Sequence, residues 1–228
     1  MSRGWLIVFA KAPRPGLVKT RMSPPLSLDE CAELYRAMLA DVLEATADFA
    51  ATLDLIPVLA FHPPDAVAEL IGCTPPGTRL QIQRGADLGE RMANAFAEAA
   101  AAGAERVLLR GSDSPALERS LFEAAMARLD TGDDLVMTPD QSGGYAMIAM
   151  RTPQPALFDL VMSTEDMLEQ TMRIADSLGL RSSITTPGFD LDTVRDLRCF
   201  DALSSAQRLD LCPRTVKAIS SLPIDDVL

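Results

Sequence analysis

The sequence predicts a three-layer α/β/α sandwich, with a mainly parallel but mixed sheet covered by helices on both faces. Three observations support this. Short apolar runs recur at 5–10, 53–61, 80–83, 106–110, 135–138, 145–150 and, more weakly, 181–185, separated by segments of helical periodicity. Between 135–138 and 145–150 there are only the residues 139–144, too few for a helical crossover, so that pair is expected to run antiparallel. The chain has 228 residues, 48% of them hydrophobic and 23% charged, enough to bury one large α/β core, and no linker, repeat or low-complexity tract divides it. A single domain spanning 1–228 is the simplest organisation.

In chain order, the first run, Trp5-Leu6-Ile7-Val8-Phe9-Ala10, is apolar throughout, as a strand buried on both faces must be. Lys11, Arg14, Lys19 and Arg21 follow it, and no carboxylate precedes Asp29 in a chain whose net charge is -11. Pro13, Pro15 and Gly16 disfavour a helix there, so the segment reads as a loop leaving the carboxyl end of a strand. Such loops line the ligand crevice of α/β sheets, where the four cations would meet phosphates; the other reading is a solvated basic loop. Leu26-Ser27 mark the turn before a helix over 28–49. Strand 53–61, helix 64–71, the loop Thr74-Pro75-Pro76-Gly77 and strand 80–83 come next.

Gly85-Ala86-Asp87-Leu88-Gly89-Glu90-Arg91-Met92 opens a helix over 88–102, with Asp87 and Glu90 at capping-box spacing. Strand 106–110 runs into Gly111-Ser112-Asp113-Ser114-Pro115 before helix 118–129. A carboxylate at that strand end suits a divalent cation bridging phosphate oxygens, or else a turn that caps the next helix. Gly143-Gly144, ahead of strand 145–150, permits positive φ or close ligand approach and by itself marks a turn. Helix 164–178 and strand 181–185 lead to Asp190-Leu191-Asp192-Thr193 and a helix over 193–202. In extended chain Asp190 and Asp192 point to the same side, offering either a second ligand for a hard cation or a helix cap.

Several function classes are disfavoured. The acidic balance opposes nonspecific binding to nucleic acid or anionic membrane, which needs a broad basic surface. No apolar run reaches the roughly 18 residues of a membrane span, and a cytoplasmic protein is expected. Cys31, Cys73, Cys199 and Cys212 are irregularly spaced and read as reduced thiols; His62, the only histidine, ends a strand. Nucleophile-elbow, P-loop and dinucleotide fingerprints are all missing.

Taken in order, A-K-A-P-R-P-G-x-V-K-T-R, G-A-D-L-G-E-R-M, G-S-D-S-P, G-G-Y and D-L-D-T-x-x-D-L resemble the DUF2064 group of glycosyltransferase-like proteins. That group belongs to the nucleotide-diphospho-sugar transferase superfamily and is similar to 2-phospho-lactate guanylyltransferases. The resemblance implies a GT-A-like fold and a transferase that uses Mg2+ or Mn2+, a nucleotide or nucleotide-sugar donor and a small-molecule acceptor. It implies Lys11, Lys19, Arg21, Asp87 and Arg91 as nucleotide-binding residues, to which the loop reading above adds Arg14, Gly143 and Gly144, with Asp113 and Asp192 as metal ligands and Asp113, Asp140 and Asp192 as catalytic carboxylates. Where the group often reads D-G-G-Y this chain has Ser142-Gly143-Gly144-Tyr145, so either the carboxylate expected near the acceptor is absent or Asp140 substitutes for it from a displaced position. Glycosyl transfer is the leading expectation, nucleotidyl transfer the alternative, and a non-catalytic nucleotide-binding module the third.

Overall fold

The computed structural model describes residues 4–162 and 164–222. Within them seven strands form one sheet: β1 (Gly4–Lys11), β2 (Leu55–His62), β3 (Arg79–Ile82), β4 (Arg106–Gly111), β5 (Leu135–Pro139), β6 (Tyr145–Met150) and β7 (Ser182–Ile184). Their order is β3-β2-β1-β4-β6-β5-β7. Only β6 opposes the rest, pairing antiparallel with both β4 and β5. The expected α/β/α sandwich therefore forms, with the antiparallel step where the short 139–144 connection demanded it.

Strand alternation sorts the core into two layers. Trp5, Ile7 and Phe9 of β1 face one side, with Met92 and Phe96 of α3 (Leu88–Ala101) and Ala175 of α5 (Met167–Ser177). Leu6, Val8 and Ala10 face the other, under α1 (Leu28–Thr52), α2 (Val67–Leu70) and α4 (Arg119–Asp130). Helix α1 starts on a complete capping box, Ser27 Oγ accepting from Glu30 N–H and the Glu30 carboxylate accepting from Ser27 N–H. It runs to Thr52, so β2 begins at Leu55 rather than 53; Asp54, at φ 53°, makes the reversal between them. Helix α6 (Val194–Phe200) falls in the expected place.

Sequence periodicity did not reveal α7 (Ser205–Leu211) and α8 (Pro213–Ser220). Helix α8 packs outside α1 in a cluster that also holds Met22, Leu191, Leu197 and Phe200, while Leu211 of α7 packs against the layer of Leu6 and Phe122. A carboxylate on α1 fixes α8: Asp41 accepts from Thr215 N–H at 2.7 Å, Thr215 Oγ at 2.8 Å and Arg214 Nη1 at 3.0 Å.

From β1 the chain moves outward to β2 and β3, while β4 lies on the other flank of β1. The order reverses between β1 and β4, and in α/β sheets the loops at the carboxyl ends of strands flanking such a reversal are where ligands bind. The motif-bearing loops after β1, β3, β4, β5 and β7 all leave from this end of the sheet.

Candidate functional site

Lys19 lies where the loops after β1, β4 and β7 meet. Its backbone is left-handed, φ 49° and ψ 30°, at the start of a single 3-10 turn over Thr20–Met22. Its side chain is 3% exposed. The ammonium donates to Asp113 Oδ1, to Asp192 Oδ1 at 3.0 Å and to the Leu191 carbonyl at 2.6 Å. Burial alone would pull the Lys19 pKa down, but the charges of Asp113 and Asp192 outweigh it and hold the ammonium above its usual range. Arg21 Nη1 lies 3.8 Å from Asp192 Oδ2. Residues after three different strands thus meet at one point.

The turn that carries Asp113 is held from behind. Arg110, wholly buried, donates to the Ser114 carbonyl and, at 3.3 Å, to that of Gly111, with its guanidinium 5.5 Å from the Phe122 ring centre. Ser114 Oγ donates to Asp190, whose pKa is pushed up to about 7 by burial and then by the charge of Asp113. Leu191 is buried in the core, and the carboxylates on either side of it have different partners, Ser114 for Asp190 and Lys19 for Asp192. Gln141 pairs with residue 190 like a short strand, accepting from its N–H at 2.9 Å and donating to its carbonyl at 2.6 Å. Tyr35 links the neighbouring loops: its hydroxyl accepts from Lys11 N–H at 3.1 Å and shares a 2.7 Å hydrogen bond with Ser112 Oγ.

The other predicted residues lie around this centre. Lys11 ends β1 opposite His62, whose pKa is lowered by burial and then by the charges of Arg91 and Lys11, so these three groups are electrostatic neighbours. Asp87 caps α3, accepting from Glu90 N–H at 2.9 Å, while the Glu90 carboxylate accepts from Ala86 N–H, one residue short of a regular capping box. Arg91 donates to the Ala86 carbonyl at 3.4 Å, and its buried Nε has no partner. Arg14 does not join the centre; its guanidinium is bound by Glu69 at 3.0 Å and Asp65 at 3.2 Å. Asp140 Oδ1 accepts from Ser142 N–H, Ser142 Oγ and Gly144 N–H at 2.6, 2.7 and 3.0 Å, so it organises its own turn. At Gly143, φ 89°, a Cβ would run into the Glu165 carbonyl; at Gly144 it would meet the Asp140 carboxylate. The close approach expected of these glycines is therefore made by the chain itself.

The donors suit a hard cation. Magnesium and manganese prefer oxygen, and here two carboxylates and a carbonyl already face one positive charge. Among the described residues no group of three or more His, Cys, Asp or Glu side chains is arranged around a metal position. Two carboxylates suit an ion whose shell is completed by substrate phosphates and water.

Sequence reading missed Tyr35, Arg110 and Gln141. A tyrosine on an amphipathic helix, an arginine inside an apolar run and a glutamine in a turn carry no spacing signal. An arginine in a strand otherwise buried on both faces was the one clue.

Among the described residues no helix is long and apolar enough to cross a membrane, and all four cysteines are free. No curated protein matches the chain. Among solved structures, a protein of Desulfovibrio desulfuricans G20 described as a "putative nucleotide-diphospho-sugar transferase" is 29% identical, with a TM-score of 0.83 over 96% of this chain and 98% of its own. At 12% identity, a CMP:2-keto-3-deoxy-manno-octonic acid synthetase complexed with CTP shares the fold, with a TM-score of 0.57 over 88% of this chain and 98% of its own. Glucosyl-3-phosphoglycerate synthase of Mycobacterium tuberculosis, in complex with Mn2+, UDP and its product, shares it at 13% identity and a TM-score of 0.51, over 92% of this chain and 80% of its own. The fold is that of the nucleotide-diphospho-sugar transferases. A family profile described as "Uncharacterized protein conserved in bacteria (DUF2064)" matches residues 45–164, a span that holds Asp87, Arg91, Asp113 and Asp140 but not the Lys19 loop or Asp192. That span is more than half of the chain, which therefore belongs to the DUF2064 family.

Proposed function

We propose that this protein is a cytoplasmic transferase acting on nucleotide-activated small molecules, and within that class a divalent-cation-dependent glycosyltransferase that takes its sugar from a nucleotide-diphospho-sugar. The observation that best supports this is the meeting of Lys19, Arg21, Asp113 and Asp192 where the strand order reverses. Likeness to the Desulfovibrio protein over 96% of the chain supports it further. A departing nucleoside diphosphate gathers negative charge on its oxygens, and cations fixed beforehand stabilise that charge without reorganising. Arg21 is placed to act in this way, Lys19 stands beside it against Asp113 and Asp192, and Lys11 and Arg91 line the side toward β2 and α3 for the rest of the nucleotide. Asp113 and Asp192 would hold Mg2+ or Mn2+, which supplies further stabilisation of the leaving diphosphate. Arg110 and Asp190 keep the Gly111–Ser114 turn, and with it Asp113, in place.

One observation favours nucleotidyl transfer as a second reading. Asp140, which the family resemblance offers as a catalytic carboxylate, already has one oxygen occupied by three hydrogen bonds of its own turn. An alcohol acceptor needs a base to take its proton, whereas a phosphate or carboxylate acceptor attacks an α-phosphate already ionised. The products separate the two. Incubation with nucleotide sugars, Mn2+ and an acceptor panel should release nucleoside diphosphate under the first reading. Release of diphosphate from a nucleoside triphosphate instead establishes the second. Nucleotide binding with no turnover of any donor would sink both and leave a binding module.

A further inference from the structure

The Lys19 ammonium has three N–H donors, and all three are used by Asp113, Asp192 and the Leu191 carbonyl. None remains for a phosphate. The residue suited to meet phosphates and the carboxylates suited to hold a cation thus satisfy one another. Lys19 is 3% exposed, whereas Asp113 and Asp192 are 41% and 31% exposed, so an ion arriving from solvent reaches the carboxylates with the ammonium already behind them. Lys19 also has a left-handed backbone conformation, φ 49°, that a residue with a Cβ rarely adopts.

A free divalent ion entering here must expel a like charge from its own two ligands. It gains little in return, because among the described residues no third acidic, His or Cys side chain completes a metal cluster. An ion that arrives on a nucleotide differs in both respects. Its phosphate oxygens complete the coordination shell, and the same phosphates receive the displaced ammonium.

We propose that Lys19 is the resident counter-cation of the Asp113–Asp192 pair, and that it yields the pair to a divalent ion only when that ion comes with nucleotide phosphates, which take over the ammonium. The inference rests on the reading of Asp113 and Asp192 as ligands of a nucleotide-bound ion. It makes Lys19 a selectivity residue, rejecting free metal and admitting the metal–nucleotide complex. Charge is conserved in the exchange: the ammonium leaves the carboxylates as the divalent ion joins them, and pairs with the phosphate instead.

The test is titration of Mn2+ alone, followed by electron paramagnetic resonance of the unbound ion. The wild-type chain should bind it weakly. Lys19→Met, which keeps the bulk and removes the charge, should bind it about tenfold more tightly or better, since the like charge beside the ion is gone. Lys19→Gln, which keeps amide donors for the carboxylates, should do the same if the methionine variant fails to fold. Adding Asp113→Asn to either should abolish the gain. Variants that bind Mn2+ no more tightly than wild type overturn the proposal. So does a wild-type melting temperature raised as far by Mn2+ alone as by Mn2+ with any of UDP, GDP, CDP or ADP. A wild-type chain that binds none of these nucleotides with Mn2+, while Lys19→Met still gains Mn2+ affinity, would sink the transferase reading and leave the counter-cation role standing.

Discussion

Replacing Asp41 by alanine should cost this protein about 3 kcal/mol of stability, although the residue lies in α1 and far in sequence from the helix it serves. Its side chain is wholly buried and accepts from Thr215 N–H, Thr215 Oγ and Arg214, which places it where an N-cap residue of α8 would act. Loss of such a cap costs roughly 0.5–2 kcal/mol. The Thr215 hydroxyl, also wholly buried, loses its acceptor, which adds about 1–3 kcal/mol. Arg214 is half exposed and keeps Glu44, so its share is small. In a chain of this size a loss of ~3 kcal/mol lowers the melting temperature by roughly 6–12 °C. Urea and thermal unfolding of Asp41→Ala and Asp41→Asn measure it, with the asparagine variant losing less because it keeps one acceptor oxygen. The cluster behind α8 contains Met22 and Leu191, the neighbours of Arg21 and Asp192, so amide exchange at those two residues should quicken as well. An Asp41→Ala chain within about 0.5 kcal/mol of wild type would refute the reasoning, since ordinary surface changes already span that range.

Asp113→Ala should fold almost normally, because Lys19 keeps Asp192 and the Leu191 carbonyl, yet lose Mn2+-dependent nucleotide binding; equal nucleotide affinity with and without Mn2+ in the wild type would sink the assignment. Asp190 sets a pH dependence of stability. Unfolded aspartate titrates near 3.9 and Asp190 in the folded chain at about 7, so between those values the native state binds the extra proton. Its contribution is complete at about pH 4 and is lost as the pH rises through about 7. With a chelator present, melting temperatures of wild type should therefore fall relative to Asp190→Asn across that window, and parallel curves would show that Asp190 titrates normally. Gly143→Ala, at φ 89° and facing the Glu165 carbonyl, should destabilise by about 1–3 kcal/mol in urea unfolding, and a neutral result would show that the turn can shift freely.

Local chemistry made the sheet legible. The unbroken apolar run at 5–10 marks a strand covered on both faces, and the short step from 139 to 144 leaves no room for a crossover, so β1 and the antiparallel β5–β6 pair were readable in advance. The capping spacing of Asp87 and Glu90 was equally plain, because caps act across one turn. Two short helices near the end were not readable: α7 has seven residues and α8 eight, and α8 is capped by a carboxylate more than 170 positions earlier.

The same distinction runs through the candidate site. Residue types and strand ends already placed a basic loop and acidic motifs at one edge of the sheet. Chain folding alone decided that Lys19 meets Asp192 across 173 residues, that Arg14 is claimed by Glu69 and Asp65, and that Asp190 bonds to Ser114 while Asp192 faces Lys19. Sequence spacing encodes what one helical turn or one strand can bring together. Which distant charges finally share a partner depends on burial, and burial exists only once the layers have packed.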